Sequence, residues 1–289
     1  MNPPGNGAVP AVPPGAAAGH RAPWTLSTVR GGPARPIRLE HAPAFIAVAH
    51  GSRDPRSAAT MRAVVAQIAA QRPDLDVRLA FLDLSSPSVD EVVDAVAADG
   101  HSHAVVVPLL LGSAFHARVD LPGLLDAARA RHPQLSLTQA DVLGPDPHLI
   151  VALRDRIVAA MPDADSGPAR EAVPRWGIAV AAVGSSSPTA NIRTADVARL
   201  LSAMTGWDTE TCFATTEPTL HRAFARLRAR GADRIIVAPW FLAPGLLTDR
   251  LRDSLPQLPH ARTLGAHPLL AEVALDRYVT AALPLELSA

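Results

Sequence analysis

The sequence predicts an α/β fold built twice over, as two tandem domains, each a parallel β-sheet flanked by helices. Three observations carry this. Short apolar runs alternate with amphipathic stretches of helical period, the pattern of a parallel sheet joined by crossover helices. The runs are apolar throughout, so both faces of the sheet are expected to be buried. The series also recurs: "AFIAVAHGS" at 44–52 is answered by "GIAVAAVGS" at 177–185.

The elements follow in order. Residues 1–43 hold nine prolines, six glycines and no acidic residue before Glu40. Such a segment buries too little apolar surface to offset its ordering entropy, so a disordered tail is expected. Its prolines also oppose the amphipathic helix of a transit peptide. "AFIAVA" is the first strand. Asp54 and Pro55 then supply an N-cap and a first-turn proline, and Met61, Val64, Val65 and Ile68 give one helical face. "VRLAFL" (77–82) is the second strand. A helix follows with a Ser88–Glu91 capping box, the stripe Val89, Val92, Val93 and Val96, and a terminating Gly100. "AVVVPLLL" (104–111) is the third strand. A helix from Leu121, a strand "LTQADVL" (137–143) and a helix over 147–161 complete a first domain at 44–161. Residues 162–175 are the expected linker, and 176–289 the second domain.

The repeat is uneven. Pro108 matches Pro239, 131 residues later, whereas Gly144, Pro147, Asp155 and Arg156 match Gly265, Pro268, Asp276 and Arg277 only 121 residues later. The second copy is therefore ten residues shorter after its third strand, in the segment that carries His116 in the first. It also has Ala182 and Val183 where the first copy ends its strand in His50. A period this long marks a duplicated domain rather than a solenoid. Core positions survived while both histidines did not, which suggests one active site and one structural partner.

Composition narrows the chemistry. The chain has 289 residues, 48% hydrophobic, with 27 basic and 27 acidic residues. That balance argues against nucleic acid as a partner, since phosphate binding needs a basic surplus. No apolar run reaches the roughly 18 residues of a membrane span, so a soluble protein with no membrane partner is expected. The single cysteine, Cys212, forms no internal disulfide and no iron–sulfur centre, which fits a cytoplasmic setting. Every basic residue is arginine. Lysine Schiff-base, Walker-lysine and lysine-base chemistries are thereby excluded, while arginine forks suit carboxylates.

Ligands of parallel α/β sheets bind at the carboxyl ends of the strands. His50 ends strand one, and His116 lies in the loop after strand three. Two such loops can bring both imidazoles onto one ion at roughly 2.0–2.1 Å. Histidine, with an unperturbed pKa of about 6.5, is mostly neutral at pH 7 and can donate a lone pair. Arg53, Arg56 and Arg118 nearby favour that neutral form. His101 and His103 are spaced like a metal pair, but they precede strand three at the opposite sheet end and are expected to be surface residues. Competing motifs fail: HGSRDP is not G-x-G-x-x-G, Ala49 replaces the arginine of histidine phosphatases, and "GSSSP" at 184–188 lacks the closing glycine of a serine-hydrolase elbow.

"AVAHGSRDPRS" together with "VVVPLLLGSAFHARVDLP" resembles the sirohydrochlorin chelatases of the CbiX/SirB type, the class II tetrapyrrole chelatases. The resemblance covers residues 44 to about 160 closely and makes the second copy a degenerate chelatase-like domain. It implies that His50 and His116 are the catalytic, metal-binding pair. The family's acidic Phe-Leu-Glu segment falls on "FLDLSSPS" (81–88), with Asp83 in place of glutamate. Ser52, Arg53, Arg56, Asp83 and Arg118 are then the expected substrate-binding residues. The implied reaction inserts Fe²⁺ (for sirohaem) or Co²⁺ (for cobalamin) into sirohydrochlorin, an octacarboxylate, with release of two pyrrole protons. The metal would be a co-substrate, with no permanently bound cofactor. A monomer with two pseudo-symmetric domains is expected. A non-catalytic tetrapyrrole or metal carrier is the alternative. The chain departs from the family pattern in lacking a histidine pair in the second copy and a histidine-rich or cysteine-bearing tail.

Overall fold

A computed structural model describes residues 42–112, 119–162 and 174–286. Most of the expected tail and of the expected linker therefore lies outside the described residues. The first half holds β1 (Ala44–Ala49), α1 (Pro55–Gln71), β2 (Val77–Phe81), α2 (Val89–Ala98), β3 (His103–Pro108), α3 (Leu121–Arg131), β4 (Ser136–Gln139) and α4 (Pro147–Val158). The second holds β5 (Trp176–Ala182), α5 (Pro188–Thr205), β6 (Asp208–Phe213), α6 (Leu220–Ala229), β7 (Arg234–Pro239), α7 (Leu246–Ser254) and α8 (Pro268–Glu286). The strands form two all-parallel sheets, ordered β2-β1-β3-β4 and β6-β5-β7.

Local chemistry sets the helix starts as the sequence suggests. The Asp54 side chain accepts from the Arg56 amide ahead of Pro55, and Ser88 and Glu91 close the reciprocal capping box. Met61, Val64 and Ile68 are buried on α1, as are all four valines of the α2 stripe. β4 is shorter than the expected strand: it ends at Gln139, and the chain runs on as a loop whose Leu143 amide reaches the Leu110 carbonyl. α4 likewise ends at Val158, three residues early.

Alternate residues of β1 and β3 point into different cores. Ile46, Val48 and Val106 face a cluster confined to the first half, closed by α2 and α3. Phe45, Ala47, Val105 and Val107 face a cluster that runs on into Ile178, Val180 and Ile236 of the second half. A third cluster lies under α6 and α7. The shared middle layer consists of α1, α4, α5 and α8.

The last helix of each half crosses over. α4 packs on α5 and β7, while α8 packs on α1, β3 and β4. The duplicated arginines fasten this exchange reciprocally. Arg156 on α4 donates to the Leu264 carbonyl at 2.7 Å, and Arg277 on α8 donates to the carbonyls of Val142 and Leu143 at 3.0 and 3.2 Å. Arg277 also pairs with Asp146 at 2.9 Å. The units that repeat in sequence are thus not the units that pack.

In the second sheet the fourth strand shrinks to one bridge, Val237 to His260. The His260 Nε2 is buried with no hydrogen-bond partner among the described residues. Burial, aided by the charge of Arg252, pushes its pKa down to about 4. A histidine whose folded pKa lies below its unfolded value adds stability above the unfolded pKa, and loses it as pH falls through the folded one. Stability is therefore expected to drop between about pH 6.5 and pH 4. His260→Leu should remove about 1–2 kcal/mol of that drop, a figure reduced for partial exposure. Denaturant titrations of both proteins at pH 7 and pH 4 check this; equal drops would refute it.

Candidate functional site

The carboxyl ends of both sheets open onto one cleft of 760 Å³. That lies within the roughly 300–1,000 Å³ typical of small-molecule sites. One wall is the loops after β1 (49–52) and β3 (109–112); the facing wall is the loops after β5 (182–185) and β7 (240–245) with the start of α5.

His50 follows the last residue of β1, is exposed and lines the cleft. Its place is set by the backbone. The Asp83 amide donates to the His50 carbonyl at 3.0 Å, and the Leu82 amide to that of Ala49 at 2.9 Å. Gly51 then turns the chain at φ +95°, where a Cβ would meet the Asp83 carbonyl oxygen at 1.7 Å. Only glycine fits both the left-handed backbone and the close approach. Ser52 also lines the cleft; its amide donates to the Ser85 hydroxyl at 3.2 Å, and that hydroxyl donates back to the Ser52 carbonyl at 3.0 Å.

The second half repeats this frame with one change. The Ala214 and Thr215 amides donate to the Ala182 and Val183 carbonyls, and Gly184 turns at φ +92°. Val183, rather than Ala182, therefore stands where His50 does, and it too lines the cleft. Residues 240–245 separate β7 from α7, whereas the longer stretch 109–120 separates β3 from α3 in the first half. His116 and Arg118 fall in the sequence between β3 and α3 but lie outside the described residues. Among the described residues no group of three or more His, Cys, Asp or Glu side chains is placed to hold a metal ion.

The other sequence-derived residues are distributed differently. Arg53 and Asp83 are exposed and do not line the cleft; Asp83 acts on the site through its backbone, packed against Gly51. Arg56 also stands off the lining. Its guanidinium lies 2.5 Å from Asp54 and from Asp249 at the start of α7, tying the two halves beside the cleft. The same guanidinium holds both carboxyls below the usual carboxylate range. His101 bonds Asp76 at 3.0 Å and His103 bonds Ser102, so that pair diverges at the far sheet end.

Sequence reasoning named no residue of the facing wall as a site residue. Asn191, Arg193 and Thr194 on α5 line the cleft, with Trp240 and Thr248. The signal that could have found α5 was its position in the repeat, since it follows the same strand-and-glycine turn as α1.

The family model described as CbiX matches residues 44–160 and again 177–281. A sirohydrochlorin cobaltochelatase of Priestia megaterium is 27% identical over 245 residues, covering 80% of this chain and 77% of that protein. A sirohydrochlorin ferrochelatase of the same organism is 27% identical over 247 residues, covering 81% and 89%. The structure of SirB from Bacillus subtilis with Fe³⁺ superposes with a TM-score of 0.69 at 23% identity, over 85% of this chain and 97% of that one.

Proposed function

This chain belongs to the CbiX family, and on that premise we propose that it is a sirohydrochlorin chelatase, inserting Fe²⁺ or Co²⁺ into the macrocycle. The supporting observation is His50, ending β1 inside a cleft shared by both sheets. The cleft wall there is largely apolar, which suits a flat ring. In the proposed reaction the divalent ion is a substrate, held by the neutral imidazoles of His50 and His116. It passes to four ring nitrogens as two pyrrole protons leave, and the vacated imidazoles accept those protons. Ser52 lies against the substrate. Arg53, Asp83 and Arg118 extend the substrate contact where the loops reach it. Arg56 acts instead as the tie between halves.

No helix among the described residues is long and apolar enough to cross a membrane. The finer reading is a cytoplasmic monomer that uses no resident cofactor and neither nucleic acid nor membrane as partner. Cys212, fully buried and with its thiol pushed up to about 12 by burial, suits a reducing compartment. Mixing the protein with sirohydrochlorin and Fe²⁺ or Co²⁺ tests the activity through the absorbance change of metallation. Acceleration over the protein-free rate is expected. Binding without acceleration would leave a carrier and overturn the enzyme.

A further inference from the structure

α5 presents Ala190, Asn191, Arg193, Thr194 and Val197 to the cleft, the stripe of one helical face. Among the described lining residues, Arg193 is the only one with a permanent charge. It is exposed and makes no ion pair among the described residues, whereas Arg56 across the cleft is bound to two aspartates. Its helix is anchored: Asn191 accepts from the Ser185 amide and donates to the Ser185 carbonyl, both at 2.8 Å. Arg193 therefore stands on the second turn of an anchored helix, with an uncommitted guanidinium. The repeat places Thr60 of α1 at its counterpart, so this charge belongs to the second half alone.

Two differences between the walls point the same way. Where the first wall offers an imidazole, the second offers Val183, which cannot hold a metal. At the counterpart of Arg193 on α1, Thr60 does not line the cleft and its hydroxyl donates to the Arg56 carbonyl at 2.7 Å, so the guanidinium is particular to the second wall. Val183, Leu242, Leu246 and Trp240 line the same cleft with apolar surface. An apolar platform with one arginine fits a flat, hydrophobic ring carrying carboxylates at its rim. Resting on the chelatase reading, we propose that the second half is the macrocycle-holding wall. Arg193 grips a peripheral carboxylate, and metal is delivered only from the His50 side.

A guanidinium–carboxylate contact is charge-assisted and bidentate in its favoured geometry. Its loss is expected to weaken binding about tenfold, equivalent to about 1.4 kcal/mol. The test is metal-free binding of sirohydrochlorin, read by quenching of tryptophan fluorescence, alongside steady-state metallation. Arg193→Gln should raise Kd and the KM for sirohydrochlorin about tenfold while the KM for metal stays within about twofold. Arg193→Lys should recover part of the loss, because it keeps charge but not the fork. An unchanged Tm in both variants shows that the fold is intact. Normal wild-type metallation with Arg193→Gln binding within twofold of wild type would overturn this assignment alone. A wild type that neither binds nor metallates sirohydrochlorin would overturn the chelatase reading and this one with it.

Discussion

Replacing His50 by valine is expected to lower metal insertion by about a hundredfold or more while leaving the fold in place. The second half supplies the reason for that choice of residue. There the same strand, the same pair of backbone hydrogen bonds and the same left-handed glycine carry Val183. Valine at this position is therefore compatible with the frame, and His50→Val copies one half into the other. In the proposed mechanism, what it removes is the lone pair that holds the ion and the base that accepts a pyrrole proton. The check is the metallation rate with Fe²⁺ and Co²⁺, with circular dichroism and Tm as controls. A variant that keeps more than half the wild-type rate would remove His50 from the mechanism.

Tyr278→Ala should give the largest loss of stability, about 3–5 kcal/mol and roughly 10 °C in Tm. Tyr278 sits on α8, is 1% exposed, and stacks on Phe45 of β1 with ring centroids 5.1 Å apart. Its hydroxyl donates to the Pro43 carbonyl at 2.7 Å. One side chain thus joins the end of the chain to the strand that presents His50. Tyr278→Phe keeps the ring and loses only the hydrogen bond, so it should cost about 1 kcal/mol. Urea titrations of both variants separate the two contributions. If the alanine variant were no less stable than the phenylalanine one, the packing of α8 on the first sheet would not matter.

Much of this was legible in the amino-acid sequence. Strand and helix positions followed from apolar period and capping chemistry, which are local and act over a few residues. The valine stripe of α2 and the Ser88–Glu91 box needed no tertiary information. His50 was found because it stands where an apolar strand ends, and the repeat gave that position its meaning. Arg56 illustrates the limit. Its place near His50 suggested a substrate contact, but its pairing with Asp249, 193 residues away in the chain, could not be read from the sequence.

Sequence alone determined that the chain is a duplicated α/β protein with one histidine-bearing strand end, because patterning and duplication are written residue by residue. Only the tertiary structure decided which helices cover which sheet, and so which walls face each other. The "RDR" and "LDR" echoes at 154–156 and 275–277 were visible as a repeat. Their purpose, arginines reaching across to carbonyls of the opposite half, depends on an exchange of α4 and α8 that no local pattern encodes. The cleft follows from that exchange. It brings the β5 and β7 loops opposite His50, and it puts Arg193, unremarked in the sequence, on the facing wall.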